Sequence, residues 1–254
     1  MRLATAGPAD FRERLDAAFD EALRPLRQGT GPLGVLFSAG VDSSLLAWEL
    51  RDRPEVVLCT LGRDASPDLR AGKVGAERLG LPWVSLPIDS NVVADAERRF
   101  SSELEGLPHV PRVVLLSLAL AMERAPPTGL VCGQGADELF LGYAHYRNLS
   151  AEDAEQRSLE DMTRLREDDW PRTARLAEVV GKSIVAPYLS PSFEEAVRRV
   201  PIDLRLPGAH PKQFLREWAM SRGLPPQLAG RPKKALQYGS GVDALVRSLR
   251  RSVR

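Results

Sequence analysis

Hydrophobic positions along this chain follow two periods in turn. Across residues 9–28, Phe11, Leu15, Ala18, Phe19, Ala22, Leu23 and Leu26 recur at helical spacing, which predicts an amphipathic helix packed beside a sheet. Short continuous apolar runs follow at Leu33–Phe37, Val56–Leu61, Trp83–Pro87 and Gly129–Cys132. Helical patterns separate them over 43–51, 67–79, 91–104 and 112–124. Runs of Val and Leu without polar positions are strands buried on both faces, so the alternation predicts an α/β fold with a parallel sheet flanked by helices. From about residue 144 strand-like runs are scarce and helical periodicity dominates. The expected organisation is one unit over 1–254: the helix at 9–28, an α/β core at 30–143, and a mainly helical layer at 144–254. No internal repeat or low-complexity linker interrupts it.

Composition narrows the class. A chain of 254 residues, 43% hydrophobic and 27% charged, can bury a sizeable core. Its net charge of +1 supplies no global field for nucleic acid or an acidic membrane, so neither is an expected partner. No apolar run approaches the ~20 residues of a membrane span, and the first residues lack the basic start and apolar stretch of a signal peptide. Cys59 and Cys132 are the two cysteines, and both fall in predicted strands. Buried, reduced thiols in a cytoplasmic protein are the expectation. Two separated cysteines exclude a C-x-x-C metal pair.

The candidate chemistry lies where strands end. Ser38-Ala39-Gly40-Val41-Asp42-Ser43-Ser44 joins the first strand to its helix, placing backbone N–H groups at a helix N-terminus where phosphate oxygens bind. Gly40 permits close approach, and Ser38, Ser43 and Ser44 add hydroxyl donors. Asp42 would repel phosphate unless a divalent cation lay between them, which points to a nucleotide carried with Mg²⁺. The plain alternative is a serine-capped helix. A second loop, Gly133-Gln134-Gly135-Ala136-Asp137-Glu138, follows the strand at Gly129–Cys132. Ligands in open α/β sheets sit beyond the carboxyl ends of strands, so both loops should open onto one crevice. Asp42 and Asp137 would then share one Mg²⁺. Asp and Glu also begin helices merely to complement the macrodipole, so the second loop gains weight from the first.

Charge is uneven. Residues 198–254 hold thirteen Lys and Arg against Asp203, Glu217 and Asp243. Most of these read as a solvated helical surface. Arg231, Lys233 and Lys234 differ, because they lie between a Leu-Pro-Pro stop and the Gly239-Ser240-Gly241 turn, on a loop where binding residues concentrate.

The first loop resembles the S-G-G-x-D-S loop of enzymes that split ATP into AMP and pyrophosphate, with Ala39 for the first glycine. The second resembles the G-E-G-x-D-E-x-F-x-G-Y motif of the asparagine synthetases, continuing here as Leu139-Phe140-Leu141-Gly142-Tyr143. Ser66-Pro67-Asp68-Leu69 with Leu79-Gly80, Ala186-Pro187-Tyr188-Leu189-Ser190, and Arg231-Pro232-Lys233-Lys234 before Gly239-Ser240-Gly241 match in order. The resemblance spans about residues 33–242. It implies the adenine nucleotide alpha hydrolase-like fold of the PP-loop ATP pyrophosphatases, and an amide ligase that adenylates a small carboxylate. The nearest version makes asparagine from aspartate and free ammonia. It places adenine near Leu36 and Leu61, the ribose or α-phosphate near Cys132 and Gly133, and a catalytic lysine in the basic loop, with Lys234 favoured over Lys233. A relative acting on another acid, as in β-lactam synthetases or lasso peptide cyclases, is the alternative. A tRNA-modifying ATP pyrophosphatase and a non-catalytic nucleotide-binding subunit are the others.

Two departures stand out. The ATP loop comes within forty residues of the first methionine, which is followed by Arg2 and not a nucleophilic cysteine; the expectation is ammonia from solution, a separate glutaminase, or another amine donor. Gln134 stands where the family carries a glutamate thought to accept the amine's proton, which an amide cannot do. Glu138 is the substitute base, or Gln134 simply hydrogen-bonds the substrate. His109, His145 and His210 are too dispersed for a metal site or triad. Phe140, Tyr143 and Tyr146 read as core aromatics of one helix, with Tyr143 bordering the substrate pocket. Trp170, Trp218 and the Arg-rich C-terminus read as packing and surface.

Overall fold

The computed structural model describes residues 8–208, 210–232 and 235–252. The chain opens with helix α1 (Pro8–Gln28) and enters strand β1 (Leu33–Leu36). Then come α2 (Val41–Glu49), β2 (Val56–Arg63), α3 (Pro67–Leu79), β3 (Trp83–Ile88), α4 (Ser90–Arg99), α5 (Ser101–Leu104), α6 (His109–Arg124), β4 (Gly129–Val131) and α7 (Ala136–Leu139). The second half holds α8 (Ala151–Arg164), α9 (Trp170–Val179), β5 (Ser183–Val185), α10 (Pro191–Arg198), α11 (Ile202–Arg205), α12 (Gln213–Ser221), α13 (Pro226–Ala229), α14 (Leu236–Gly239) and α15 (Val242–Ser252). Among the described residues no helix is long and apolar enough to cross a membrane.

Five parallel strands form one sheet in the order β3-β2-β1-β4-β5. The central strand β1 pairs Leu33 with Val56 on one side and with Gly129 on the other. The chain steps outward from β1 through β2 to β3, then restarts at β4 on the opposite side. The order therefore reverses between β1 and β4, and the crevice at such a switch point is where α/β sheets hold ligands.

Local chemistry explains the element ends. Pro67 occupies the first turn of α3, where its missing N–H is no loss. Ser66 Oγ accepts from Leu69 N at 3.3 Å, and Gly80 closes the helix at φ 67°. Asp89 caps α4 by accepting from Val92 N at 2.9 Å. The helix expected over 91–104 is two helices. Phe100, fully buried, leaves helical geometry at φ −96°, ψ 20°, and the serine pair after it favours turns over helix continuation.

Two apolar clusters cover the sheet. One joins Leu15, Phe19 and Leu23 of α1 to Val35, Leu45, Leu46, Tyr188, Phe193 and Trp218. The other joins β2 and β3 to α4, α6 and α15 through Leu61, Leu86, Val93, Leu116 and Val246. Helix α1 was expected beside the sheet; it shares a cluster with Leu33 and Val35 of β1, and its apolar face also meets rings from the second half, with the Phe19 centroid 4.9 Å from Phe193 and 5.2 Å from Trp218. Arg222 fastens this arrangement, its guanidinium bonding Glu49 of α2 and Asp16 and Asp20 of α1 at 2.6–2.7 Å. The second half contributes β5, whose three residues lack the apolar run of the other strands. Phe140, Tyr143 and Tyr146 do not share a helix: α7 ends at Leu139, and Leu141 turns the chain at φ 53°. Phe140 and Tyr146 are fully buried, whereas Tyr143 is partly exposed.

Candidate active site at the β1–β4 switch point

The first loop leaves β1 with its backbone anchored. Phe37 N donates to Cys59 O at 2.8 Å, and Phe37 O accepts from Thr60 Oγ1 at 2.7 Å. Ala39 then adopts φ 54°, a left-handed conformation that disfavours any residue with a Cβ. This is the position where the related loops carry glycine. The N-cap of α2 is Gly40, and no side chain caps the helix. The serine-capped alternative is thereby removed. Ser43 Oγ instead stays within the loop, accepting from Ser38 N and donating to Gly40 O, both at 3.3 Å. Ser44 Oγ is buried without a hydrogen-bond partner among the described residues.

The second loop approaches the first closely at Gly133, where an added Cβ would stand 3.0 Å from Asp42 Cβ. Gly135 takes φ 96° to start α7, a conformation that suits only glycine there. Cys132 donates its thiol to Gln134 Oε1 at 3.6 Å. Burial pushes both Cys132 and Cys59 up to about 12, so neither is a nucleophile. Glu138 is 5% exposed and accepts from the Tyr143 hydroxyl at 2.7 Å. Burial, then the neighbouring Asp137, push its carboxyl up to about 7.

The two aspartates converge on one cation. Lys212 Nζ lies 2.6 Å from Asp42 Oδ1 and 2.8 Å from Asp137 Oδ1. Burial alone would lower the lysine's pKa, but the Asp137 and Asp42 carboxylates hold it above its ordinary value. Lys212 itself sits at φ 58° as the N-cap of α12, and such a conformation costs a non-glycine residue roughly 1–2 kcal/mol. Gly142 makes the space: a Cβ there would be 2.1 Å from Asp137 Oδ1 and 2.2 Å from Lys212 Cε.

Other distant motifs close around the loops. Tyr188 donates its hydroxyl to Asp42 O at 3.0 Å, which ties the Ala186–Ser190 segment to the first loop. Arg231 donates to Ser38 O at 2.9 Å and lies 3.9 Å from Asp68. Arg63 N bonds Ser240 O at 2.9 Å, which draws the Gly239-Ser240-Gly241 turn to the end of β2. Leu36 and Leu61 lie in β1 and β2, the latter buried. Val41 opens α2 and is buried. Lys233 and Lys234 lie outside the described residues. The histidines are dispersed as expected; His109 pairs with Asp243 at 2.7 Å and His145 with Asp161 at 2.8 Å. No group of three or more His, Cys, Asp or Glu suited to a metal occurs among the described residues.

Sequence reasoning missed Lys212. Nothing in Pro211-Lys212-Gln213 distinguishes it from the other cations of the basic segment. The donor set nonetheless suits a hard divalent cation: two carboxylate oxygens already face one point, leaving coordination positions for phosphate and water.

Comparison with known proteins gives the family. The asparagine synthase family model matches residues 11–183 and 148–254. A putative glutamine-hydrolysing asparagine synthetase of Methanocaldococcus jannaschii is 28% identical over 281 residues, covering 93% of this chain and 51% of that protein. The glutamine-hydrolysing asparagine synthetase of Cricetulus griseus is 28% identical over 90% of this chain and 43% of its own length. The chain thus spans about half the length of the curated relatives it matches. A solved structure described as a predicted subunit of a tRNA methyltransferase from Methanocaldococcus jannaschii covers 78% of this chain at 17% identity, with a TM-score of 0.36. With family matches running from residue 11 to residue 254 over a parallel sheet whose two motif loops meet at the switch point, the chain belongs to the asparagine synthase family.

Proposed function

We propose that this chain is an ATP-dependent, AMP- and pyrophosphate-forming carbon–nitrogen ligase acting on a small carboxylate, with aspartate and free ammonia as the nearest substrates. The observation that carries this reading is the convergence of Asp42 and Asp137, from loops 95 residues apart in sequence, on one buried cation position beside the N-terminus of α2.

The chemistry follows from the obstacles in amide formation. A carboxylate repels nucleophiles and has no good leaving group. Its oxygen attacks the α-phosphorus of ATP, the bond to the β-phosphate breaks, and pyrophosphate departs. The amine then attacks the acyl carbon, AMP leaves with the carbon–oxygen bond pair, and the amine's proton passes to a base. Mg²⁺, held by Asp42 and Asp137, would neutralise the phosphates. The N–H groups at the start of α2 and the hydroxyls of Ser38 and Ser43 position them. Arg231, Lys234 and Lys233 are the cations assigned to the charge that grows on the departing pyrophosphate. Leu36 and Leu61 line the adenine side, and Cys132 and Gly133 the ribose side. Gln134 cannot take the proton; Glu138 is the substitute base, a buried carboxylate that accepts from the Tyr143 hydroxyl. Buried thiols at Cys59 and Cys132 suit a reducing, cytoplasmic setting.

Gln134 favours a second reading, a family relative that activates another acid. Pyrophosphate release over a panel of amino and keto acids, with and without ammonium, tests both. Release with aspartate and ammonium, with asparagine formed, supports the first; release with another acid supports the second. No release with any acid despite ATP binding overturns the ligase assignment.

A further inference from the structure

Lys212 is the part of the site that neither loop motif accounts for. Its side chain enters between the loops from the N-terminus of α12, and its nitrogen is within hydrogen-bond distance of both aspartates. Only 7% of it is exposed. The chain commits a left-handed backbone position and a glycine, Gly142, to bringing an ammonium to this point. Asp42 is buried and Asp137 partly so, and two carboxylates this close without a cation would repel one another. The same two oxygens cannot serve an ammonium and a divalent ion together, because cations this close repel.

We propose that Lys212 is the built-in counter-cation of Asp42 and Asp137 before nucleotide binds: it holds the two loops at the spacing of a shared cation, and it excludes a divalent metal until that metal arrives with nucleotide phosphates. The proposal rests on the reading of Asp42 and Asp137 as cation-holding residues. Its physical logic is an exchange of partners. Lysine carries its charge on a flexible four-carbon stem, so the ammonium can leave the carboxylates without backbone rearrangement. Phosphate oxygens entering with the metal supply the negative charge it then pairs with. A divalent ion alone brings no such replacement, and its entry would strand a buried ammonium. Lys212 is thus a positioning residue that makes metal and nucleotide binding mutually dependent.

The test uses the whole chain and Mn²⁺ alone, without nucleotide, followed by the electron paramagnetic resonance of the free ion. Wild-type protein is expected to bind Mn²⁺ weakly, and Lys212→Met at least tenfold more tightly. Lys212→Arg, which keeps the charge, should bind weakly like wild type. Lys212→Met should also melt at lower temperature without metal and recover when Mn²⁺ is added, while wild type does not respond. Equal Mn²⁺ affinity in wild type and Lys212→Met, whether weak or tight, overturns the proposal. Should Lys212→Met fail to fold, Lys212→Gln retains an amide donor and serves the same comparison. Wild-type protein alone gives a further check: if it binds Mn²⁺ as tightly without ATP as with it, the proposal is wrong. No turnover enters these measurements, so a failed ligase assay leaves them standing, and their failure leaves pyrophosphate release untouched.

Discussion

At the scale of single residues, the site depends on charges held where water is scarce. Asp42 is buried against Lys212, with its backbone carbonyl tied to Tyr188. Asp42→Asn keeps the shape and removes the charge. It is expected to weaken metal-dependent ATP binding by well over tenfold, beyond the ~1.4 kcal/mol that factor represents. Titration calorimetry with Mg²⁺ present is the check, and unchanged affinity would contradict a cation shared by the two aspartates. Glu138 gives a pH signature. Its carboxyl rises from an ordinary value of 4.5 to about 7 in the folded protein, so between those values the native state keeps a proton that the unfolded chain releases. Stability from this group is therefore highest below about pH 4.5 and declines as pH rises towards 7, by roughly 3 kcal/mol at most. Glu138→Gln should flatten that decline in urea midpoints measured across the range without metal or nucleotide. A variant with the same slope as wild type would place the effect elsewhere.

At the scale of elements, the loop after β1 is shaped by the helix packed over it. Gly75 of α3 faces Phe37 and Ala39, and an added Cβ would lie 2.9 Å from the Phe37 ring and 3.3 Å from Ala39 Cβ. A ring inside a packed core cannot retreat without moving the loop it precedes. Gly75→Ala is expected to destabilise the fold by about 1–3 kcal/mol and to weaken ATP binding along with it. Thermal melting and nucleotide titration of the same sample would show both. A variant with wild-type stability would mean that α3 shifts freely, which its cap at Ser66 and its contact with β2 argue against. The elements themselves were largely legible beforehand. Four of the five strands and most helices of the first half follow from apolar runs and caps that act within a few residues. β5 was not, because Ser183-Ile184-Val185 is only three residues long and mostly exposed. Its place is decided by pairing with β4, a contact that no local pattern encodes.

At the scale of the molecule, both apolar clusters rest on one sheet, and Leu36 and Ile184 touch each of them. Unfolding should therefore be cooperative across the two halves. Trp48, Trp83, Trp170 and Trp218 all belong to or pack on the α1-side cluster, whereas far-UV circular dichroism also senses the helices on the other face. Coincident denaturation midpoints by fluorescence and circular dichroism are expected. Separate midpoints would show that the two faces unfold independently.

What the sequence determined by itself is what short-range physics controls. It set the alternation of buried strands and helices, the glycine, serine and aspartate loops at the ends of β1 and β4, and hence the family. The tertiary structure decided which charges meet. Lys212 lies 170 positions from Asp42, and only the packing of α12 against α2 and the opening at Gly142 select it from the other cations of the basic segment. Arg231 reaches Ser38 across 193 residues. Such pairings depend on a fold that must bury its apolar faces first, and electrostatic partners then follow from where that burial leaves each side chain.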